Sequence, residues 1–315
     1  MKRKQNNLTI TGILDAASIG IATATLLGFL GRLYWLFDLF AHFRVQYMQI
    51  GLVLIGIALW KRLNKRAVAL VLLACLNYAF VLPLYFGKPT PANEKPIRAM
   101  LMNINAGNGN AEQVLDAIRT ANPDLLLLEE VTPKWESELA VLDADYPHRI
   151  AEPQDGCFGI MLLSKHPLAH GKVVEIGTAG VPSITADIYF PQGEVSIIGT
   201  HPLPPMGSEY SKDRNNQLAA LPEFVKAQKN PVLLIGDLNT SPWSPHFTQL
   251  VRQSGLKNSM KGFGFQPSWP ANNRFLRIPL DHMLYSEQIT IHNRMIGADV
   301  GSDHFPVIVD FALSR

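Results

Sequence analysis

Three apolar stretches dominate the first 87 residues, after which the hydropathy pattern changes character. Residues 10–30 are apolar apart from Asp15, residues 45–60 form a shorter run, and residues 67–86 form a third with Pro83 near its end. A membrane span needs about 20 such residues. The first and third stretches meet that length and the second is marginal, so the pattern predicts about three transmembrane helices. From Ile97 onward, short apolar runs alternate with amphipathic segments. Strands are expected at 97–104, 124–129, 158–163, 172–176, 184–190, 194–200, 231–236, 281–286 and 305–312. Helices are expected at 111–121, where Val114, Leu115 and Ile118 share a face, and at 133–142 behind a Thr132 cap. A third is expected at 208–229, with Leu218, Leu221 and Val225 on one side. Many strands and few helices predict an α/β fold, a two-sheet β-sandwich flanked by helices in four αββα layers. The chain divides into an anchor at 1–87, a proline-punctuated linker at 88–96 and a soluble domain at 97–315.

Charge sharpens that division. The first 87 residues carry nine Lys or Arg against Asp15 and Asp38, a net of +7, whereas the remainder is at −5. Lys2, Arg3 and Lys4 would also suit a signal peptide, but two further apolar segments favour an anchor. The basic residues cluster before the first span and, as Lys61, Arg62, Lys65 and Arg66, between the second and third. With both clusters inside, three spans put everything after Phe86 outside the cytoplasm. That arrangement implies a multi-pass inner-membrane protein whose domain faces the periplasm or exterior. A net-acidic domain argues against tight nucleic-acid binding, which draws on phosphate-neutralising Lys and Arg. Cys75 and Cys157 fall in different parts of the chain and make no disulfide framework.

Several apolar runs of the soluble part end in, or are immediately preceded by, ionisable or amide residues. They are Met102-Asn103-Ile104-Asn105, Glu129-Glu130, Gly199-Thr200-His201, Gly236-Asp237-Leu238-Asn239, Leu280-Asp281-His282 and Ser302-Asp303-His304. Unpaired charge is costly away from water. The repeated placement of such groups at strand ends therefore indicates one shared site.

These six motifs, in this order across residues 97–312, resemble the endonuclease/exonuclease/phosphatase superfamily of deoxyribonuclease I-like enzymes. Within it, the anchored arrangement is similar to a bacterial membrane-bound branch. The resemblance implies a divalent cation, Mg²⁺ or Mn²⁺, with Glu130 as principal ligand and Asn103, Asn105 and Asp303 around it. Where the family usually has Gln-Glu this chain has Glu129-Glu130. The resemblance also assigns His304 and Asp281 to an acid–base unit, Asp237 to the attacking water, Asn239 to a phosphoryl oxygen and His201 to a second phosphate-contacting position. Arg214 and Gln217, on the long helix, are weaker candidates for reaching a substrate phosphate.

The expected activity is hydrolysis of a phosphoric ester by direct attack of water on phosphorus. A short linker favours a lipid or lipid-linked envelope phosphate as substrate. An extracytoplasmic nuclease and a non-catalytic protein binding phosphate headgroups are the rival readings. The complete set of acids and imidazoles argues against the last.

Overall fold

The computed structural model describes residues 9–87 and 95–314. The chain forms two compact units, Met1–Pro83 and Leu84–Arg315. The linker expected at 88–96 lies outside the described residues except for its last two positions.

The first unit is helical: α1 (Ile10–Leu27), α2 (Trp35–Ala41), α3 (Arg44–Trp60) and α4 (Asn64–Val81). Ile10–Leu30 and Asn64–Tyr85 are each long and apolar enough to cross a bilayer, and α2 with α3, bent by 60°, make a third if they form one broken span. Residues 35–41, between the first two apolar stretches, are helical, because Trp35, Leu36, Leu39 and Phe40 recur at helical spacing. The unit exposes apolar side chains and, beside an apolar core of Leu14, Ile21, Leu54 and Leu70, buries several polar ones. Leu52, Val53, Val68 and Leu72 are exposed. Arg44 is buried, donating to the Asn77 carboxamide oxygen at 3.2 Å, and Asn77 donates to the Thr25 hydroxyl at 3.0 Å. Asp15, the interruption in the first apolar stretch, pairs with Arg66 of α4 at 2.6 Å.

The second unit holds two six-stranded sheets. The first contains β1 (Ile97–Asn103), β2 (Leu125–Glu129), β3 (His148–Glu152), β4 (Ile160–Ser164), β11 (Ile289–Ile296) and β12 (Val307–Leu313), in the order β11-β12-β1-β2-β4-β3. The second contains β5 (Leu168–Glu175), β6 (Pro182–Phe190), β7 (Gly193–Thr200), β8 (Val232–Asp237), β9 (Lys257–Asn258) and β10 (Asp281–Tyr285), in the order β5-β6-β7-β8-β10-β9. Each sheet has a parallel pair at its centre, β1 with β2 and β7 with β8, flanked on both sides by antiparallel neighbours. The central strands read as near-continuous apolar runs because both their faces are covered. One face of each sheet packs against the other sheet through Leu101, Leu127, Ile197, Ile235 and Val309. The outer face of the first sheet is covered by α5 (Ala111–Ala121) and α6 (Pro133–Leu139), and that of the second by α7 (Ser208–Lys226) and α8 (Pro245–Ser254). This is the four-layer sandwich expected from the pattern. Strands β3, β9 and β11 and helix α8 were not expected. β3 mixes partly buried with exposed positions and β11 mixes buried with partly buried ones, so neither has the long apolar run that marks a central strand.

The parallel pairs decide where function can sit. Strands that run parallel finish at the same edge, and antiparallel neighbours begin there. The ends of β1, β2, β7 and β8 therefore meet the starts of β10 and β12. Close packing at this edge leaves no room for extra atoms. A Cβ built on Gly236 would lie 1.9 Å from the Thr200 carbonyl oxygen and 3.0 Å from Glu129 Oε1. Gly236→Ala should therefore destabilise the second unit by about 3 kcal/mol, the upper end for overpacking. In a thermal melt of the purified chain this reads as a fall of roughly 6–12 °C, and an unchanged midpoint would show that the end of β7 can move away from β8 freely.

Candidate active site

The residues that close the strands are brought together in two adjoining groups. The first is a chain of acids and imidazoles. Asp281 opens β10 directly opposite Asp237, the last residue of β8. The His304 Nδ1 lies 2.8 Å from Asp281 Oδ2, and its Nε2 lies 3.5 Å from Asp237 Oδ2. The His201 Nε2 approaches the same Asp237 oxygen at 3.6 Å. Asp237 Oδ1 accepts from the Asn239 backbone amide at 2.8 Å, and the Asn239 carboxamide donates to the Pro202 carbonyl at 2.9 Å. All five side chains are buried.

The second group is a cluster of oxygens beside the first, joined to it by the adjacency of Asp303 and His304. Asn103 Nδ2 donates to Glu130 Oε1 at 3.0 Å, and the Ala106 amide donates to Oε2 at 2.9 Å. Asn105 Nδ2 donates to Asp303 Oδ1 at 2.6 Å, and the Trp269 indole donates to Oδ2 at 2.9 Å. Of the six non-glycine residues with positive φ among the described residues, three are here: Asn105 (58°), Glu130 (62°) and Asn239 (48°). Such conformations persist only where the surroundings over-determine them, and they concentrate at functional sites.

The electrostatics separate the two groups. Burial pulls the His304 imidazole down, but the Asp281 and Asp237 carboxylates beside it outweigh this and push its pKa up to about 10. Burial acts to raise Asp281, yet the facing imidazolium holds it below the ordinary carboxylate value. Asp237 is raised, chiefly by burial, with Asp281 adding to the effect. His304 thus carries positive charge between two carboxylates. These three side chains offer ligating atoms within 4.8 Å of one another, but the imidazolium already supplies the charge a cation would bring. The oxygen cluster is different. Glu130 and Asp303 are only partly buried, and their partners are carboxamides, an amide and an indole, none of which carries charge. Two carboxylates and two carboxamides with no neutralising charge among these partners suit a hard divalent cation.

Not every candidate residue opens onto this edge. Arg214 and Gln217, expected to reach a substrate phosphate, are fully buried on α7. Arg214 donates to the Asn239 carbonyl at 2.9 Å and Gln217 to the Thr200 hydroxyl at 2.8 Å. They brace the ends of β7 and β8 from beneath. His282 points the opposite way from Asp281, as strand alternation requires, and contacts the Thr240 carbonyl and the Phe247 ring.

Glu129, whose motif departs from the family's usual glutamine, is completely buried between the sheets. Both its oxygens lie within 3.1 Å of the Asp237 backbone nitrogen. Burial, reinforced by the Asp237 and Asp281 carboxylates, pushes it well above the ordinary range, which favours its protonated form. A protonated carboxyl has the shape of a carboxamide, which explains why the departure is tolerated.

Other contributors escape sequence reasoning. Ser302 donates to the Asn103 carbonyl and accepts from the His304 amide. Ser268 accepts from the amides of Leu280 and Asp281. Arg294, buried on β11, reaches across to the Asp281 carbonyl at 3.2 Å. The Cys157 thiol hydrogen-bonds Glu130, and burial together with that carboxylate raises its pKa. Serine, arginine and cysteine in loops and edge strands carry no local signal for such roles.

A model of the Endonuclease/Exonuclease/phosphatase family matches residues 100–304. A UPF0294 protein from Vibrio campbellii is 25% identical over 229 residues, covering 69% of this chain and 78% of that protein. Among solved structures, the 3′ phosphatase NExo from Neisseria, bound to a product DNA hairpin, aligns with a TM-score of 0.58 at 19% identity, covering 68% of this chain and 99% of its own. Sphingomyelinase C from Streptomyces griseocarneus aligns with a TM-score of 0.51 at 18% identity, covering 69% of this chain and 99% of its own. At such identities these two structures share the fold.

The raised His304 has a consequence for stability. Its folded pKa of about 10 lies above the ordinary 6.5, so its contribution is complete below pH 6.5 and is lost as pH rises through 10. Thermal midpoints of the intact chain should fall across that window. In His304→Asn the slope should flatten, whereas an identical slope in both proteins would remove His304 as its source.

Proposed function

The chain belongs to the Endonuclease/Exonuclease/phosphatase family of metal-dependent phosphoric-ester hydrolases, and from that premise we propose that it is a membrane-anchored phosphohydrolase acting on a lipid or lipid-linked phosphate outside the cytoplasm. The observation that carries the chemistry is the Asp281–His304–Asp237 chain lying beside the Glu130–Asn105–Asp303 cluster.

In this reading Glu130, Asp303, Asn103 and Asn105 hold a divalent cation, Mg²⁺ or Mn²⁺, which when bound neutralises charge on the phosphoryl oxygens. Asp237, the carboxylate between two imidazoles, orients a water and takes its proton as the water attacks phosphorus. His304, kept protonated and oriented by Asp281, faces the negative charge that develops on the phosphoryl group, as does His201. Asn239, whose left-handed backbone turns it over Asp237, has a second amide hydrogen to donate to a phosphoryl oxygen. The raised His304 favours Asp237 over His304 as the proton acceptor, because an imidazolium has no lone pair to offer.

The membrane part of the proposal is supported by the inverted polarity of the first unit, whose outward side chains are apolar and whose buried ones include Arg44, Asn77 and Thr25. In a bilayer, polar groups turn to the bundle interior. Nine residues of linker span about 30 Å at most, which keeps the hydrolase close to the membrane surface. A nuclease is the second reading, favoured by the DNA product bound to the Neisseria structure. The net charge of −5 on residues 88–315 works against it.

The purified full chain in detergent, supplied with Mg²⁺ or Mn²⁺, should release product from a lipid phosphate ester. That activity should fall about 10²-fold or more in His304→Ala and Asp237→Asn, the range for losing a positioned acid–base or charge-stabilising group. Cleavage of plasmid DNA with inert lipids would establish the nuclease instead. A C-terminal alkaline phosphatase fusion should be active and a C-terminal green fluorescent protein fusion dark in cells, and the reverse pattern would overturn the orientation.

A further inference from the structure

The apolar surface of the catalytic unit is not scattered evenly. Among the described residues from 97 to 314, the large hydrophobics exposed by nearly half or more are Met206 (73%), Phe275 (68%), Val141 (51%) and Leu276 (48%). Three of these four belong to segments that lead away from the candidate active site. Met206 lies in Pro202–Gly207, which leaves His201 and supplies the carbonyl that Asn239 holds. Phe275 and Leu276 lie at the tip of a loop closed at its base by an antiparallel bridge between Trp269 and Ile278.

That loop is rooted in the site. The Trp269 indole donates to the Asp303 carboxylate, and the Ala271 amide donates to the Asp303 carbonyl at 2.7 Å. On the returning side, Arg277 donates to the Ala271 carbonyl and stacks over the Phe305 ring. Between these ties, Asn272, Asn273, Arg274, Phe275 and Leu276 are exposed in succession. Arg274 sits 4.8 Å from the centre of the Phe275 ring. Its base is therefore held firmly, while its tip presents an aromatic ring, a leucine and a guanidinium to solvent.

We propose that the 270–277 loop is a bilayer-docking element, with Phe275 and Leu276 entering the headgroup–acyl boundary and Arg274 meeting lipid phosphates. The inference rests on the lipid-phosphate reading given above. Aromatic side chains with a polar flank favour the membrane interface, and basic residues add attraction to anionic headgroups. Phe275 and Leu276 are adjacent at the tip of one loop and both exposed, beside the Arg274 guanidinium. The apolar helices on the same chain, joined by a short linker, make a bilayer the surface within reach. Docking through a loop tied to Asp303 would bring headgroup phosphates to the active-site mouth without extracting the lipid.

The dye measurements use the full chain with Cys75 and Cys157 replaced by serine, reconstituted in nanodiscs containing phosphatidylglycerol and a nitroxide-labelled phosphatidylcholine, and turnover is measured on the chain with both cysteines in place. An environment-sensitive dye is attached at Phe275→Cys and, as a reference on an exposed position of α7, at Glu223→Cys. Seating at the headgroup–acyl boundary should give a blue-shifted emission at 275 and quenching about threefold stronger there than at 223. Leu276→Cys provides a second attachment point should the dye at 275 disturb the loop. Equal quenching at the loop and at 223 would overturn the proposal, as would a blue-shifted dye insensitive to the nitroxide, which would indicate a second copy of the chain as occupant. Quenching without turnover of any lipid phosphate would support the docking loop while removing the lipid-substrate reading. Turnover of lipid phosphate without quenching would do the reverse.

Discussion

Burying several charges at one seam between two sheets is the constraint around which the catalytic unit is organised. Asp237, Asp281 and His304 are almost wholly removed from water, and isolated charges in such a place would cost far more than a domain's net stability. The structure meets that cost by mutual compensation. An imidazolium sits between two carboxylates, and Glu129 gives up its charge by keeping its proton. Arg294 adds a buried cation behind the Asp281 carbonyl, where burial has already lowered its own pKa to about 10. Glu129 and Arg294 both come from the first sheet and both contact backbone of the second. The polar network thus also holds the two sheets in register at the edge where their strands end.

The same constraint explains the division of labour across the site. Where charge is compensated within the protein, at His304, the group is oriented and unavailable to an external cation. At Glu130 and Asp303 the hydrogen-bond partners are neutral donors, which is what the proposed cation site draws on. Left-handed backbone at Asn105, Glu130 and Asn239 turns these side chains toward the reaction space instead of along their strands.

Much of the site was legible because strand ends carry a physical signal. Asn103, Glu130 and Asp237 close apolar runs, Asp281, Asp303 and His304 stand just ahead of them, and the structure brings all six together. Arg214 and Gln217 show where that reading fails. On an amphipathic helix, polarity gives the period of a face but not whether the face meets water or the ends of two strands. Glu129 shows the opposite failure, since an acid at a strand end reads as charged until its depth is known. Residues such as Ser302, Ser268 and Arg294 act through backbone groups distant in the chain, so no local pattern marks them.

By itself the sequence determined the two-part organisation, the alternation that makes a helix-flanked sandwich, and the set of acids and imidazoles at strand ends. These follow from hydropathy and from the cost of placing charge in apolar runs, both of which are local. Which strands lie parallel at the centre of each sheet, which acids keep their protons and which polar side chains face inward were decided by tertiary structure. Those properties depend on what packs against a residue from elsewhere in the chain, and the local pattern does not record it.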